Sequence, residues 1–179
     1  MPKTRRFPRA FVTRVGALVG ALALSFSLTA CQGETHPGVA AIVAGQEISE
    51  TDVTRAIDEL QPLMGQGVSR IAMVNGLVAS MMYMDAASEL GIEITDEEFE
   101  QQMGPDIEAY GGNVDELGAA SRLIFEPGMV MEIAAMAGAE QTLAELAAQV
   151  PFEINPRYGS GNPLIEGMSA AEPLADSFR

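Results

Sequence analysis

The chain has 179 residues, with 25 Asp and Glu against ten Lys and Arg, a formal net charge of −15, one cysteine, one histidine and no tryptophan. So negative a field repels nucleic acid and anionic headgroups, which excludes DNA or RNA as a partner. A single cysteine excludes an internal disulfide, and a single histidine beside it in sequence leaves no donor set for a zinc cluster.

The basic residues are unevenly placed. Lys3, Arg5, Arg6, Arg9 and Arg14 open the chain with no acid among the first 30 residues, and residues 15–28 are almost wholly apolar. That apolar run is shorter than the roughly 20 residues of a spanning helix. A basic head, a short apolar middle and small residues at the end make the pattern of a processed export signal. The segment closes on Leu28-Thr29-Ala30-Cys31, which looks like the lipobox of a bacterial lipoprotein signal peptide. The resemblance implies a signal peptide at 1–30 and a lipid anchor on Cys31, holding the protein to the extracytoplasmic face of the cell membrane. An ordinary secretory signal cut nearby and an uncleaved amino-terminal anchor are the alternatives. Residues 31–179 amount to one domain. They carry all 25 acids, five arginines and no lysine, so cationic segments are the partners that the charge favours. With Cys31 acylated no thiol remains, and the core must be built from Leu, Ile, Val, Ala and Met.

Residues 31–38 are short and polar, with Pro37, and read as a tether. Residues 39–43 form an apolar run followed by Ala44-Gly45-Gln46 and Ile48, a short strand and a turn. Ser49 starts a helix: its hydroxyl can accept from first-turn N–H groups, and Glu50 and Asp52 sit at the positive end. Val53, Ile57, Leu60, Leu63 and Met64 give its inner stripe until Gly65 and Gly67. A second helix is expected over about 68–90. Ile71, Val74, Val78, Met82, Ala86 and Leu90 mark one face, and Met73, Met81, Tyr83 and Met84 widen it, so this helix should be central. Gly76 within it would admit a close neighbour, and Gly91 is a natural C-cap. Thr95-Asp96-Glu97-Glu98 spells a capping box, with Phe99 and Met103 inward. Gly104-Pro105 breaks that pattern, a further turn carries Ile107 and Tyr110, and Asn113 repeats the capping logic. Pro127-Gly128 ends the next piece, and residues 129–150 are mostly helical with a break at Gly138. After Pro151, Phe152, Ile154 and Tyr158 suggest an extended segment. It would pair with the strand around Ala41, because an isolated strand leaves its backbone unpaired. Residues 160–179 read as a flexible tail. The fold class is mainly α, a small helical domain whose amino- and carboxy-terminal ends are paired by two short strands.

"VAAIVAGQEISETDV" at 39–53 and "MMYMDAASELGIEITDEEFEQQM" at 81–103 resemble the SurA-like N-terminal chaperone domain of envelope peptidyl-prolyl isomerases. The first matches its valine-rich strand, turn and "I-T/S-x-x-D/E-V" opening, with Ala44-Gly45 where the family has "NG". The second matches a helix ending in "A-x-x-x-G-I" followed by "V/I-T-D-E-E". "INPRYG" at 154–159 is similar to the last strand of small actinobacterial lipoproteins with this domain. The resemblance covers 39–159 and implies a helical domain that binds non-native polypeptides. The parvulin isomerase domain that many members carry needs a histidine-lined pocket, whereas the one histidine here is His36, in the tether. The expectation is therefore no isomerase activity.

No other chemistry is spelled out. His36 reads as a solvated linker residue. Asp85, Glu89 and the acids at 96–100 could in principle serve glycoside hydrolysis or calcium, but a capped helix and an acidic surface account for them. No enzyme activity, cofactor, metal or small-molecule substrate is expected. Ten of the eleven methionines lie beyond residue 30, and such adaptable side chains suit varied partners. The candidate polypeptide-binding residues are Met81 and Met84 with Met129 or Met131 as an exposed cluster, and Arg157 and Tyr158. Arg157 has a second reading, pairing with a neighbouring carboxylate while Tyr158 covers the strand junction. The functional expectation is a lipoprotein that binds unfolded exported chains. The alternative is a structural or adaptor lipoprotein with one folded partner, and a hydrolase using carboxylates alone stands third.

Overall fold

A computed structural model describes residues 37–64, 67–159 and 163–164. The expected signal peptide at 1–30, Cys31, His36 and most of the expected tether and tail lie outside the described residues. Every described residue belongs to one compact unit. In chain order its elements are β1 Val39–Val43, β2 Gln46–Ser49, α1 Glu50–Met64, α2 Arg70–Glu89, α3 Asp96–Ala109, α4 Ala119–Met136, α5 Glu140–Ala147 and β3 Phe152–Ile154. Single 3₁₀ turns stand at Val114–Glu116 and Pro156–Tyr158. The domain is mainly helical, and its small sheet joins the two ends, as the sequence predicts.

The sheet runs β2-β1-β3, antiparallel throughout. Ala41 faces Ile154 and Val43 faces Phe152, the pairing anticipated from the need of a lone strand for a partner. Gln46–Ser49 form a third strand where the sequence suggests only a turn and its exit. The cause is a two-residue hairpin loop. Ala44 and Gly45 both take positive φ, 49° and 81°, the geometry that matches the twist of the flanking strands. The chain reverses at once, and the residues after the loop pair immediately. An alanine in this region costs about 1–2 kcal/mol, offset here by the ladder and by a bond from Ala44 N–H to the Pro151 carbonyl at 2.8 Å. Tyr158 is not part of the extended segment. Asn155 caps a 3₁₀ turn with its side chain accepting from Arg157 N–H, which swings Tyr158 inward to 6% exposure.

Helix starts and stops follow local rules. Ser49 accepts from Asp52 N–H at 3.0 Å. Thr95 and Glu98 form the full capping box, with Glu98 N–H donating to Thr95 Oγ1 at 3.2 Å and Thr95 N–H donating to Glu98 Oε2 at 2.9 Å. Those bonds hold the Glu98 carboxyl below its usual range, the backbone donor first and the hydroxyl second. Gly91, Gly111 and Gly138 end α2, α3 and α4 with positive φ. In each case the N–H of the glycine and that of the residue after it return to the last turn, satisfying carbonyls that would otherwise be orphaned.

The prolines behave differently from expectation. Neither Gly104-Pro105 nor Pro127-Gly128 ends a helix; α3 and α4 pass through them. An interior proline costs about 3 kcal/mol. Here each lies within a continuous inward stripe. Phe99, Met103 and Ile107 recur at four-residue spacing in α3, and Phe125, Met129 and Val130 flank Pro127 in α4. The burial of those stripes outweighs one missing backbone bond per helix. Asn113 starts only a 3₁₀ turn, not a helix.

Helix α2 is central, packing on β1, α1, α4 and α5. Val74, Val78, Met82 and Ala86 are buried as anticipated, but Ile71 at the head of the same stripe is 50% exposed. A Cβ added at Gly76 would lie 3.3 Å from Ile124 Cδ1, so the glycine does admit α4 closely. Apolar packing forms two clusters. The first holds the sheet, α1, the first part of α2, Phe99, Ile107, Phe125, Met129 and Tyr158. The second joins Tyr83, Ala86 and Ala87 of α2 to Val130 and Ala134 of α4 and Leu143 and Ala147 of α5. Pro163 and Leu164, the described residues of the 160–179 segment, lie against this body. Pro163 is fully buried and Leu164 touches both clusters. No described helix is long and apolar enough to cross a membrane.

Candidate functional site

The methionines do not gather on one exposed face. Met129 is 3% exposed in the first cluster and Met81 packs at that cluster's edge. Met84 and Met131 pack against the second cluster. Met129 and Met131, two residues apart, point to opposite sides of α4, and Met81 and Met84, neighbours at three-residue spacing on α2, pack against different clusters.

Arg157 and Tyr158 meet Glu50, the first residue of α1. The Tyr158 hydroxyl lies 2.7 and 2.6 Å from the two Glu50 carboxylate oxygens. Arg157 forms an ion pair with the same carboxylate, and its guanidinium carbon lies 5.0 Å from the centre of the Tyr158 ring. Arg70, at the start of α2, adds a contact to Glu50 at 3.1 Å and donates to Thr54 Oγ1 at 2.8 Å. Burial first, then the bond to Glu50, pushes the Tyr158 phenol above its usual range. This network joins the carboxy-terminal turn to the starts of two helices, and in it Arg157 makes the pairing with a neighbouring carboxylate that one of its two readings expects.

An open groove of about 500 Å³ lies among β2, α1, α2, the start of α3 and α4. Ile48, Leu77, Met81, Ile94 and Leu123 give it an apolar lining, and the carboxylates around them are Glu47, Asp52, Asp96 and Glu126. Three helix starts position this rim. Asp52 takes the Ser49 hydroxyl at 2.6 Å, Asp96 follows the Thr95 cap, and α4 is set by Glu59. The Glu59 carboxylate accepts from Gly118 N–H at 2.8 Å and from the buried Ser121 hydroxyl at 2.6 Å, placing negative charge where the helix N-terminus favours it.

Among the described residues one cation, Arg122, lines the groove. It pairs with Asp96 at 2.8 Å, and its guanidinium carbon stands 4.5 Å above the centre of the Phe99 ring. Its Nε is buried without a hydrogen-bond partner. Glu126 is half-buried, and desolvation pushes its carboxyl above the usual range; Arg122 opposes that shift and Asp96 reinforces it. Glu47 and Glu126 have no hydrogen bond or ion pair among the described residues. The sequence pointed to Met81 of this groove and to Asp52 and Asp96 only as helix-start acids, and it did not point to Glu47 or Glu126. The available signal was Glu126 itself, a lone charge inside the apolar run from 123 to 130. Among the described residues no group of three or more His, Cys, Asp or Glu is placed to hold a metal ion.

Glu126 predicts a pH effect. A carboxyl raised in the folded state takes up protons more readily than its unfolded counterpart, so its buried charge lowers stability at neutral pH. That loss is relieved as pH falls through the raised value. Glu126→Gln is expected to increase the melting temperature at neutral pH, and the advantage should shrink on acidification. Thermal unfolding of both proteins across acid to neutral pH is the measurement. A lower melting temperature for the variant at neutral pH would mean that the attraction of Arg122 outweighs desolvation.

No protein-family model, curated protein or solved structure matches the chain.

Proposed function

We propose that the protein is a membrane-anchored extracytoplasmic lipoprotein whose helical domain binds unfolded exported polypeptides in the manner of a chaperone, without isomerase activity. Acyl chains on Cys31 supply attachment, each buried methylene contributing about 0.8 kcal/mol and two or more chains giving a stable hold. The observation that carries the binding role is the open groove with its apolar lining, Met81 included, and its carboxylate rim. Its volume of about 500 Å³ is ample for the side chains of a short extended segment. The resemblance of 39–53 and 81–103 to SurA-like N-terminal domains supports the same reading. The domain would hold clients without ATP or metal, releasing them by simple dissociation.

The full chain, reconstituted in lipid nanodiscs, should slow the aggregation of a chemically unfolded exported protein at near-stoichiometric ratio. An unchanged aggregation rate together with no measurable client binding would sink the chaperone role. Mass spectrometry of the amino-terminal peptide from membranes tests the anchor: an acylated Cys31 is expected, and a free thiol or an intact leader refutes it. The adaptor reading has one observation in its favour, Phe152, 40% exposed on the edge strand β3. It predicts that crosslinks from the domain capture one folded partner in place of many clients.

A further inference from the structure

We infer that the groove selects extended segments in which a lysine or arginine stands beside apolar side chains, with Glu47 and Glu126 receiving the cation. This rests on the polypeptide-binding role and narrows it to one class of segment.

The argument begins with which charges are already engaged. Asp52 is tied to Ser49, and Asp96 is paired with Arg122. Among the described residues the cation of the groove is Arg122, paired with Asp96 and stacked on the Phe99 ring with its remaining Nε buried, so an acidic side chain would meet an already engaged guanidinium. Glu47 and Glu126 are the two groove carboxylates without a hydrogen bond or ion pair among the described residues; Arg122 acts on half-buried Glu126 only through its field. A half-buried carboxylate in apolar surroundings gains more from an arriving cation than an exposed one does, because attraction strengthens as water is excluded. The long stem of lysine or arginine can lie along Ile48 and Leu123 while its charged end reaches the carboxylates. Apolar neighbours of that residue would occupy the lining near Leu77 and Met81.

The extended form follows from the sheet. β2 is an edge strand, hydrogen-bonded to β1 on one side only, and it contributes both Glu47 and Ile48 to the groove. A segment lying along such an edge can add backbone bonds to side-chain contacts. Charge also sorts the clients. The described domain is strongly acidic, so an acidic segment is repelled before contact and a basic one is drawn in.

The test uses the full chain in nanodiscs of zwitterionic lipid, which hold no anionic surface to attract the probes. Three fluorescent peptides share one leucine pattern and differ in carrying arginine, serine or glutamate between the leucines. The arginine peptide should bind about tenfold more tightly than the serine peptide, a difference that shrinks as salt screens the carboxylates. The glutamate peptide should not bind. Glu47→Gln and Glu126→Gln should each weaken the arginine peptide about 3- to 10-fold and leave the serine peptide unchanged. Melting temperatures of both variants show whether they remain folded. Equal affinity for the arginine and serine peptides, or an arginine affinity unmoved by both substitutions, overturns the charge preference while leaving polypeptide binding intact. Failure of all three peptides to bind overturns both.

Discussion

Phe99→Ala is expected to lower stability by about 3–5 kcal/mol, a large share of the roughly 5–15 kcal/mol that holds a domain folded. Phe99 is 1% exposed. Its ring meets Phe125 edge-on, with centroids 6.4 Å apart and planes at 61°. Removing it leaves a cavity between α3 and the residues packed on the ring, Phe125 among them. The loss has a second part. Arg122 stands on the Phe99 ring and pairs with Asp96, so the groove loses the platform that orients this guanidinium. Phe99→Leu keeps most of the volume and should lose less than half as much stability. Urea unfolding of the three proteins distinguishes the cases: a lower midpoint at unchanged slope is the expected signature. A change below about 1 kcal/mol for alanine would show that the core around α3 is loosely packed.

Breaking the Glu50 network should come next in size, and the hydroxyl matters more than the arginines. Tyr158 is buried and donates to a carboxylate, a bond of about 1.5–3 kcal/mol. Arg70 and Arg157 are 41% and 52% exposed at their side chains, and such ion pairs contribute about 0–1 kcal/mol each. Tyr158→Phe should therefore destabilise by about 1.5–3 kcal/mol. Arg70→Ala and Arg157→Ala should each lose about 1 kcal/mol or less. Glu50→Gln with Tyr158→Phe in a double-mutant cycle should give a coupling above about 1 kcal/mol. A coupling near zero would mean that Tyr158 holds the turn by packing alone.

What the sequence disclosed was local. The caps at Ser49 and Thr95, the stop at Gly91 and the close approach at Gly76 each depend on a few neighbouring residues, and each is present. The pairing of Ala41 with Ile154 was also legible, because an unpaired apolar strand demands a partner and the chain offers a second one. The rest depended on burial that no short window reveals. Pro105 and Pro127 look like breaks until the stripes on either side are seen to be continuous in space. Gln46–Ser49 looked like the exit from a turn because three of its four residues are polar, and pairing to β1 does not need an apolar side chain. Of the candidate binding residues, Met81 alone lines the groove. The others fill clusters or, for Arg157 and Tyr158, close the network at Glu50. The groove draws its lining from five separate elements, so its composition could not be read along the chain.

The sheet also separates near from distant partners. Asn155 reaches back 116 positions to the carbonyl of Val39, whereas β1 and β2 meet across a two-residue loop. A contact so remote along the chain must first close a long loop, which slows its formation. The hairpin is therefore expected to form before the seam of β3 on β1, leaving one flank of β1 open until the carboxy-terminal turn docks.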